Sequence, residues 1–362
     1  MKLLQKLTAL LIVFLVHKHV AVAQLNQSLG TKSLQSPENH KNTAAREAFE
    51  VWYWEYDLEN RKGFWDQAEM MEVVLDAYEV TKDRAYLKRF DRLYQNFIAV
   101  HREDWMYNEF NDDIAWAVLF CVRAYKFTGN KVYLQKAKDQ FDKMYARAYT
   151  PSYGGGLIWN ESKTSKNACI NGPAMVACCY LAQSTGDNSY YNKAIDLYKW
   201  SKTYLFNPET GKVNDAINLD KATQTIKVFP WSSTYNQGTY MGAAVMLYKH
   251  TKDPEYLENA RKIAHYTKDT MYKGQVINNE DNGDDLPGFK GIFARYARSY
   301  IAETKDKLMA EWMLLNAKTA YENRNSSGLI HTRWGTKTPE ARPESAFGCS
   351  TAVSLLMNTS SL

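Results

Sequence analysis

Apolar positions along the chain fall into two alternating kinds of helical run. One kind, at about 66–80, 112–127, 167–184, 235–250 and 289–303, is rich in Ala, Val, Met and aromatic residues on nearly every face. The other, at about 84–99, 131–147, 188–204, 254–271 and 306–323, carries Lys, Asp and Arg along one side. A helix that is apolar all round belongs in an interior, and one with a charged face belongs at a surface. The pattern therefore predicts buried helices, each followed by a surface helix. A further apolar run at about 345–357 supplies a sixth buried helix, and 42–56 a sixth surface one. No stretch alternates strongly enough with period two to predict a strand.

The junction between the two kinds is itself repeated. Thr81-Lys82-Asp83, Thr128-Gly129-Asn130, Thr185-Gly186-Asp187, Thr251-Lys252-Asp253 and Thr304-Lys305-Asp306 each follow a buried run and precede a surface one. Each reads as a helix stop followed by an N-cap acceptor, and Pro254 suits a first helical turn. The threonines are spaced by 47, 57, 66 and 53 residues, too far apart and too unevenly for a compact solenoid. The predicted fold is all-α: an (α/α)6 toroid of six inner and six outer helices in one domain over 42–362. In such a ring the loops leading into the inner helices gather at one rim, and loops on a rigid scaffold are the usual home of binding groups. Gly63-Phe64-Trp65, Asn111-Asp112-Asp113, Lys166-Asn167, Trp231 to Gln237 and Pro287-Gly288-Phe289-Lys290 all fall there.

The N-terminus changes the compartment but not the fold. A basic start (Lys2, Lys6), an apolar run from Leu7 to Val16 and small residues Ala21-Val22-Ala23 predict a secretory signal over 1–23. Its apolar run is shorter than the roughly 20 residues a membrane span needs. The polar stretch 24–41 reads as a flexible leader, and the protein is expected to be exported, to the periplasm, the cell surface or the medium. Without the signal the formal charge falls from +5 to +2, leaving 42 basic against 40 acidic residues, a balance that excludes nucleic acid as a partner. The five cysteines (Cys121, Cys169, Cys178, Cys179, Cys349) lack metal-ligand spacing and read as small buried hydrophobes.

Candidate chemistry centres on Asp112-Asp113, where a polar loop gives way to an inner helix. Two carboxyl groups suffice to cleave a glycosidic bond, one protonating the leaving oxygen and one meeting the developing oxocarbenium centre. Two acids at a helix start are equally an ordinary response to the helix dipole. Asp284-Asp285 is a second acidic pair, but it lies in a turn-forming run without a helical frame and reads as a solvated loop, or as polar groups near a substrate hydroxyl. Gly154-Gly155-Gly156 lacks the Lys and Ser/Thr of a phosphate loop, and reads as a turn that lets backbone approach a sugar beside Trp159. Trp159, Trp231 and Tyr235 are candidate stacking platforms. Asn167, Asn236 and Gln237 suit hydroxyl recognition, or equally helix capping and buried backbone. Lys290 and Arg295 read more readily as ion-pair members. The seven histidines are scattered and form no ligand or nucleophile set, which argues against a histidine-based epimerase.

Five segments in order resemble glycoside hydrolase family 76, the secreted endo-α-1,6-mannanases. They are Asn111-Asp112-Asp113 with Trp116, Tyr153-Gly154-Gly155-Gly156-Leu157-Ile158-Trp159, Lys166-Asn167-Ala168 with Asn171, Thr234-Tyr235-Asn236-Gln237-Gly238, and Phe289-Lys290-Gly291-Ile292-Phe293-Ala294-Arg295-Tyr296. The resemblance implies an (α/α)6 fold and retaining hydrolysis of α-1,6-mannan, with Asp112 as nucleophile and Asp113 as acid/base. Retention asks for carboxyl groups about 5 to 5.5 Å apart. Asp113 then needs a pKa raised by burial and by its neighbour's charge, whereas Asp112 should stay ionised. Trp65, Asn111, Trp116, Gly155, Gly156, Trp159, Asn167, Tyr235, Asn236, Gln237, Phe289 and Lys290 become the expected substrate-binding residues. No metal or cofactor is implied, and a monomer acting on mannan or its oligosaccharides is expected. The family's paired tryptophans on the first inner helix are replaced here by Phe64-Trp65. Two other functions fit the same residues: a transglycosylase using the same aspartates, and a non-catalytic mannan-binding toroid.

Overall fold

The recurrent threonine turn is the device that folds the chain back on itself. A computed structural model describes residues 42–362 apart from 163, 221, 224, 284 and 342–344. The signal (1–23), the leader (24–41) and Asp284 lie outside the described residues. In the first turn, the Thr81 hydroxyl donates to Ala77 O at 2.6 Å and accepts the Asp83 amide at 3.2 Å. Thr128, Thr185, Thr251 and Thr304 repeat both bonds. The residue after each threonine is left-handed, with φ between 58° and 76°. The acid or amide that follows accepts an amide of the next helix, as Asp83 does from Ala85 and Asp253 from Glu255. One short motif thus satisfies orphan groups of two helix ends.

Twelve α-helices result among the described residues. The inner six are α2 (Trp65–Thr81), α4 (Asn111–Thr128), α6 (Ala168–Thr185), α8 (Thr234–Thr251), α10 (Phe289–Thr304) and α12 (Ala346–Thr359). The outer six are α1 (Thr43–Glu55), α3 (Arg84–His101), α5 (Lys131–Ala148), α7 (Ser189–Tyr204), α9 (Pro254–Thr270) and α11 (Lys307–Glu322). Each inner helix packs on the next, and α12 packs back on α2, so the ring closes as an (α/α)6 toroid. None of the described helices is long and apolar enough to cross a membrane.

Strands, which the period-two pattern did not predict, are present. β1 (Ser165–Asn167), β2 (Ala216–Asp220) and β3 (Thr225–Phe229) form an antiparallel sheet in order β1-β2-β3, and β4 (Tyr272–Lys273) pairs with β5 (Val276–Ile277). Ile217 and Leu219 do alternate with Asn218 and Asp220, but the run is too short to stand out. β1 meets β2 across two intervening helices, a pairing no local pattern reveals. All of these strands lie in loops leading into inner helices, on the rim expected to carry the chemistry.

The inner ring is tight where α8 crosses α10. A Cβ on Gly238 would stand 2.8 Å from Phe293 Cα, main chain that cannot swing aside. Gly238→Ala is therefore expected to destabilise the fold by about 1–3 kcal/mol through overpacking, read as a lower urea midpoint; an unchanged midpoint would show that the two helices can separate freely.

Under the rim the ring is filled by charge. Glu69, Glu72, Asp76 and Glu79 form one stripe of α2, three or four residues apart. Arg123 from α4 reaches Glu72 at 2.7 Å, Asp76 at 2.8 Å and Glu79 at 2.9 Å. Arg295 from α10 reaches Asp76 at 2.9 Å and Glu69 at 2.9 Å, and Arg298 pairs with Glu79. Burial opposes the charge on Asp76, yet Arg295 and Arg123 hold its carboxyl down to about 2. Arg295 is thus the ion-pair member its sequence context suggested. All five cysteines are buried and unbridged.

Candidate active site

Aromatics from five of the six inner helices, four of them in the first turn and Trp116 in the second, close the toroid axis into a floor. Trp65 (α2) lies 6.0 Å from Trp116 (α4), 6.5 Å from Tyr235 (α8), 6.1 Å from Phe289 (α10) and 4.7 Å from Phe347 (α12), measured between ring centroids. Tyr235 stacks on Phe289 at 3.8 Å. The first turn of α6 adds no ring to this set; it offers Ala168 and Cys169, and the Cys169 thiol lies against Asp112.

Both aspartates stand in the first turn of α4, with Phe110 as N-cap and no side-chain cap bond, so neither acts as the cap itself. Burial pushes Asp112 up to about 6, offset by the Cys169 thiol, the Trp159 indole and the amides of Asp112 and Asp113. Asp112 Oδ1 is buried without a hydrogen-bond partner. Desolvation outweighs the helix terminus, so Asp112 is ionised only above about pH 6. Asp113 is pushed higher, to about 8, first by burial and next by the charge on Asp112, with Asp285 and Asp66 adding to it. Asn108 Nδ2 donates to Asp113 Oδ2 at 2.8 Å. Asn108 is itself held by Arg147, whose Nη2 donates to its carbonyl at 2.9 Å.

The other predicted residues divide into two sets. Trp159 lies against Asp112, and Tyr235, which feels the Asp112 charge, packs with Trp65, Trp116 and Phe289. Trp65 Nε1 donates to Asp285 at 2.9 Å, and Trp65 and Phe347 also line a cavity of about 730 Å³ with Asp66, Asp281, His331, Arg333 and Lys337. Asn167 and Asn236 each keep a buried side-chain oxygen without a protein partner, acceptors suited to sugar hydroxyls.

The five residues of the second set are engaged with protein. Asn111 is buried, its amide donating to Ile158 O at 3.0 Å and accepting Arg147 Nε at 2.8 Å. Gln237 accepts the Val213 amide at 2.6 Å and donates to Gly211 O at 3.0 Å. Lys290 is buried, bonds Thr332 O and lies 4.2 Å from the Trp334 ring, so it anchors a loop instead of facing the cleft. Gly155 and Gly156 do permit a close approach, but to protein. A Cβ on Gly156 would stand 2.6 Å from the Trp200 ring, and Lys166 gathers the Thr150, Ser152 and Gly155 carbonyls. Each of these polar groups had two uses open to it, and burial chose the structural one.

Sequence reasoning also missed members of the site. Cys169 passed for a core hydrophobe, yet its thiol lies against both Asp112 and the Tyr235 hydroxyl. Asp215, on the loop before β2, meets Asn236 Nδ2 at 3.4 Å and acts on Cys169 and Tyr235 through its charge. Asp66, Asn108 and Arg147 had no motif to announce them, whereas Asp285 belongs to the acidic pair that the sequence marked and left to a loop.

A closed helical ring with buried paired carboxyls above an aromatic floor is the architecture of an α/α-toroid glycoside hydrolase. Residues 31–360 match glycosyl hydrolase family 76, and the chain belongs to that family. It is 30% identical to an α-1,6-mannanase from Salegentibacter sp. HEL1_6, with a TM-score of 0.81 over 88% of this chain and 98% of that one. A second structure of that enzyme, an inactive variant with two consecutive aspartates changed to asparagine, holds α-1,6-mannotriose; it superposes with a TM-score of 0.82 at 28% identity over 88% of this chain and 99% of that one. A mannan endo-1,6-alpha-mannosidase of Saccharomyces cerevisiae is 26% identical over 62% of this chain and 54% of its own length. The chain spans about half the length of the yeast relatives it matches.

Proposed function

We propose that the protein is an exported, retaining endo-glycosidase that hydrolyses α-1,6-mannosidic linkages in mannan through a covalent glycosyl-enzyme. The observation that carries this is the consecutive carboxyl pair at the mouth of α4, both members pushed above the ordinary carboxylate range and Asp113 the higher. The inactivity of the Salegentibacter enzyme without two consecutive aspartates supports it. The basic, apolar and small-residue pattern over 1–23 supports export.

In the first step Asp112 attacks the anomeric carbon while Asp113 gives its proton to the departing glycosidic oxygen. The bond to that oxygen breaks as the ester to Asp112 forms. Esterification removes the negative charge beside Asp113, so the Asp113 pKa falls and its carboxylate becomes the base that takes a proton from water. Water then attacks the anomeric carbon and releases Asp112. Two inversions leave the α-configuration.

Turnover requires Asp112 ionised and Asp113 protonated. Acidifying through about 6 protonates Asp112, and raising the pH through about 8 strips Asp113. The kcat/KM profile on mannan is accordingly expected to be bell-shaped, with both limbs belonging to the coupled pair. A profile still rising beyond pH 9 would contradict Asp113 as the acid.

The function is tested by digesting linear α-1,6-mannan, sizing early products and following anomers by NMR. Mid-length oligosaccharides with the α-anomer released first are expected. First release of the β-anomer would overturn retention, and no new reducing ends would overturn hydrolysis. Added mannotriose separates hydrolysis from transfer, since transfer yields products longer than the acceptor.

A further inference from the structure

The β1–β3 sheet leads away from the carboxyl pair along a defined row of residues. Asn167 on β1 stands opposite Ala216 on β2, which stands opposite Phe229 on β3. Opposed residues share a sheet face, so Asn167 and Phe229 lie on the same side, about 10 Å apart at two strand spacings. One residue pair along, Ser165, Asn218 and Lys227 share that face too. The base of the sheet is tied to the site: Ala168 N donates to Asp215 O at 2.7 Å, and Asp215 N donates to Phe229 O at 3.1 Å.

The edge strand carries Lys227 and is followed by Pro230, a charge and a proline that discourage edge pairing; among them Phe229 is 38% exposed and Trp231, two residues on, is 47% exposed. Asn218 and Lys227 are exposed beside them, and the Lys227 ammonium lies 5.6 Å from the Phe229 ring. Aromatic faces next to an amide and an ammonium match the chemistry of a pyranose, which offers C–H faces to rings and hydroxyls to polar groups. On the opposite face Lys166 and Ile217 are fully buried, and only the outer member of that row, Val228, is exposed, at 41%.

We propose that the face carrying Asn167, Asn218, Lys227 and Phe229, together with Trp231, binds the stretch of neutral glycan chain that runs out of the cleft, beyond the sugars flanking the cleaved bond. This rests on the proposed glycan substrate. Its occupant follows from continuity: the row begins at Asn167, two residues before Cys169, whose thiol lies against Asp112, and ends at exposed rings. The surface holds long chains in place and adds nothing for a substrate too short to reach it.

The test compares polymeric α-1,6-mannan with α-1,6-mannotriose for wild type, Phe229→Ala, Trp231→Ala and the double variant. For the double variant KM on polymer is expected to rise about fivefold to tenfold, the size of one or two stacked rings, with kcat/KM on mannotriose within about twofold of wild type. Equal losses on both substrates, or no change on either, would overturn the assignment. So would a wild-type dimer that Trp231→Ala converts to monomer, because the patch would then be a self-association surface. Binding of polymer to the Asp112→Asn, Asp113→Asn double variant, with and without Trp231→Ala, gives a readout independent of turnover. If wild type cleaves no α-1,6-mannan, the proposed function fails; if it does and Trp231→Ala leaves polymer binding intact, only the distal surface fails.

Discussion

Asp112→Asn and Asp113→Asn are each expected to yield folded protein with turnover of α-1,6-mannan cut by about 10³-fold or more. Asparagine keeps the shape of the side chain but cannot form a stable glycosyl ester or supply a proton. Loss of a nucleophile costs more than loss of a general acid, whose contribution is typically about 10² to 10⁴. The two variants should therefore separate. Azide, supplied as an external nucleophile, is expected to rescue only one kind of defect in each, and to give a glycosyl azide with Asp113→Asn. Turnover within tenfold of wild type in both would remove the pair from the chemistry.

The same variants should be more stable than wild type at pH 8, which separates loss of function from loss of fold. Both carboxyls have folded-state pKa values raised above the roughly 3.9 of an unfolded aspartate. The native state therefore keeps protons that the unfolded chain has already lost, and wild-type stability falls as pH rises from about 4 toward 8. Asparagine does not titrate. The melting temperature of Asp113→Asn should exceed that of wild type at pH 8 and converge with it near pH 4. A variant less stable than wild type at pH 8 would contradict the burial cost assigned to the pair.

Arg295→Met is expected to be the most damaging change for stability. It removes the partner that Asp76 meets at 2.9 Å and Glu69 at 2.9 Å, deep inside the ring. Breaking a buried pair from one side costs about 3–5 kcal/mol, because the remaining charge is buried without compensation. Asp76 is held near 2 by Arg295 and Arg123, so in wild type its favourable contribution persists above pH 4 and fades as pH drops toward 2. In the variant the Asp76 and Glu69 carboxyls rise, so the deficit should be largest at neutral pH and shrink on acidification. Urea unfolding at pH 7 and pH 4.5 measures both values. A deficit below about 1 kcal/mol at pH 7 would mean that the cluster relaxes around the missing cation.

The ring was legible in the sequence because its information is local. Thr81-Lys82-Asp83 and its four copies bond within a few residues of themselves, so the motif that marks a turn is also the set of atoms that builds it. Inner and outer helices were likewise separable, since the extent of apolar surface around a helix reports its depth directly. The strands were not legible. Three residues of β1 pair with a segment beyond α6 and α7, and nothing within either stretch specifies the partner.

Within the site, residue type identified what a side chain can do and not where it is used. Trp65, Tyr235 and Phe289 sit in first turns at the rim and could only meet across the axis, so their grouping followed from the ring. Gln237 and Lys290 occupy the same rim positions but turn outward or downward into protein, where Val213, Gly211 and Thr332 take their bonds. Cys169 is core filler as its sequence suggests, and it serves the site as well, its thiol lying against Asp112.

The chain alone thus determined the helical ring, the rim that carries its loops, and the consecutive aspartates at one inner helix, all properties written within a turn or two of sequence. Tertiary structure decided the rest: which polar groups stay without a protein partner, the acidic stripe of α2 locked by Arg123 and Arg295, and the sheet that runs from Asn167 to Phe229. The physical reason is the same in each case. Desolvation and pairing depend on what other segments bring to a side chain, and burial pushes Asp113 up to about 8 only once Asp112, Asp285 and Asp66 stand around it in the folded ring.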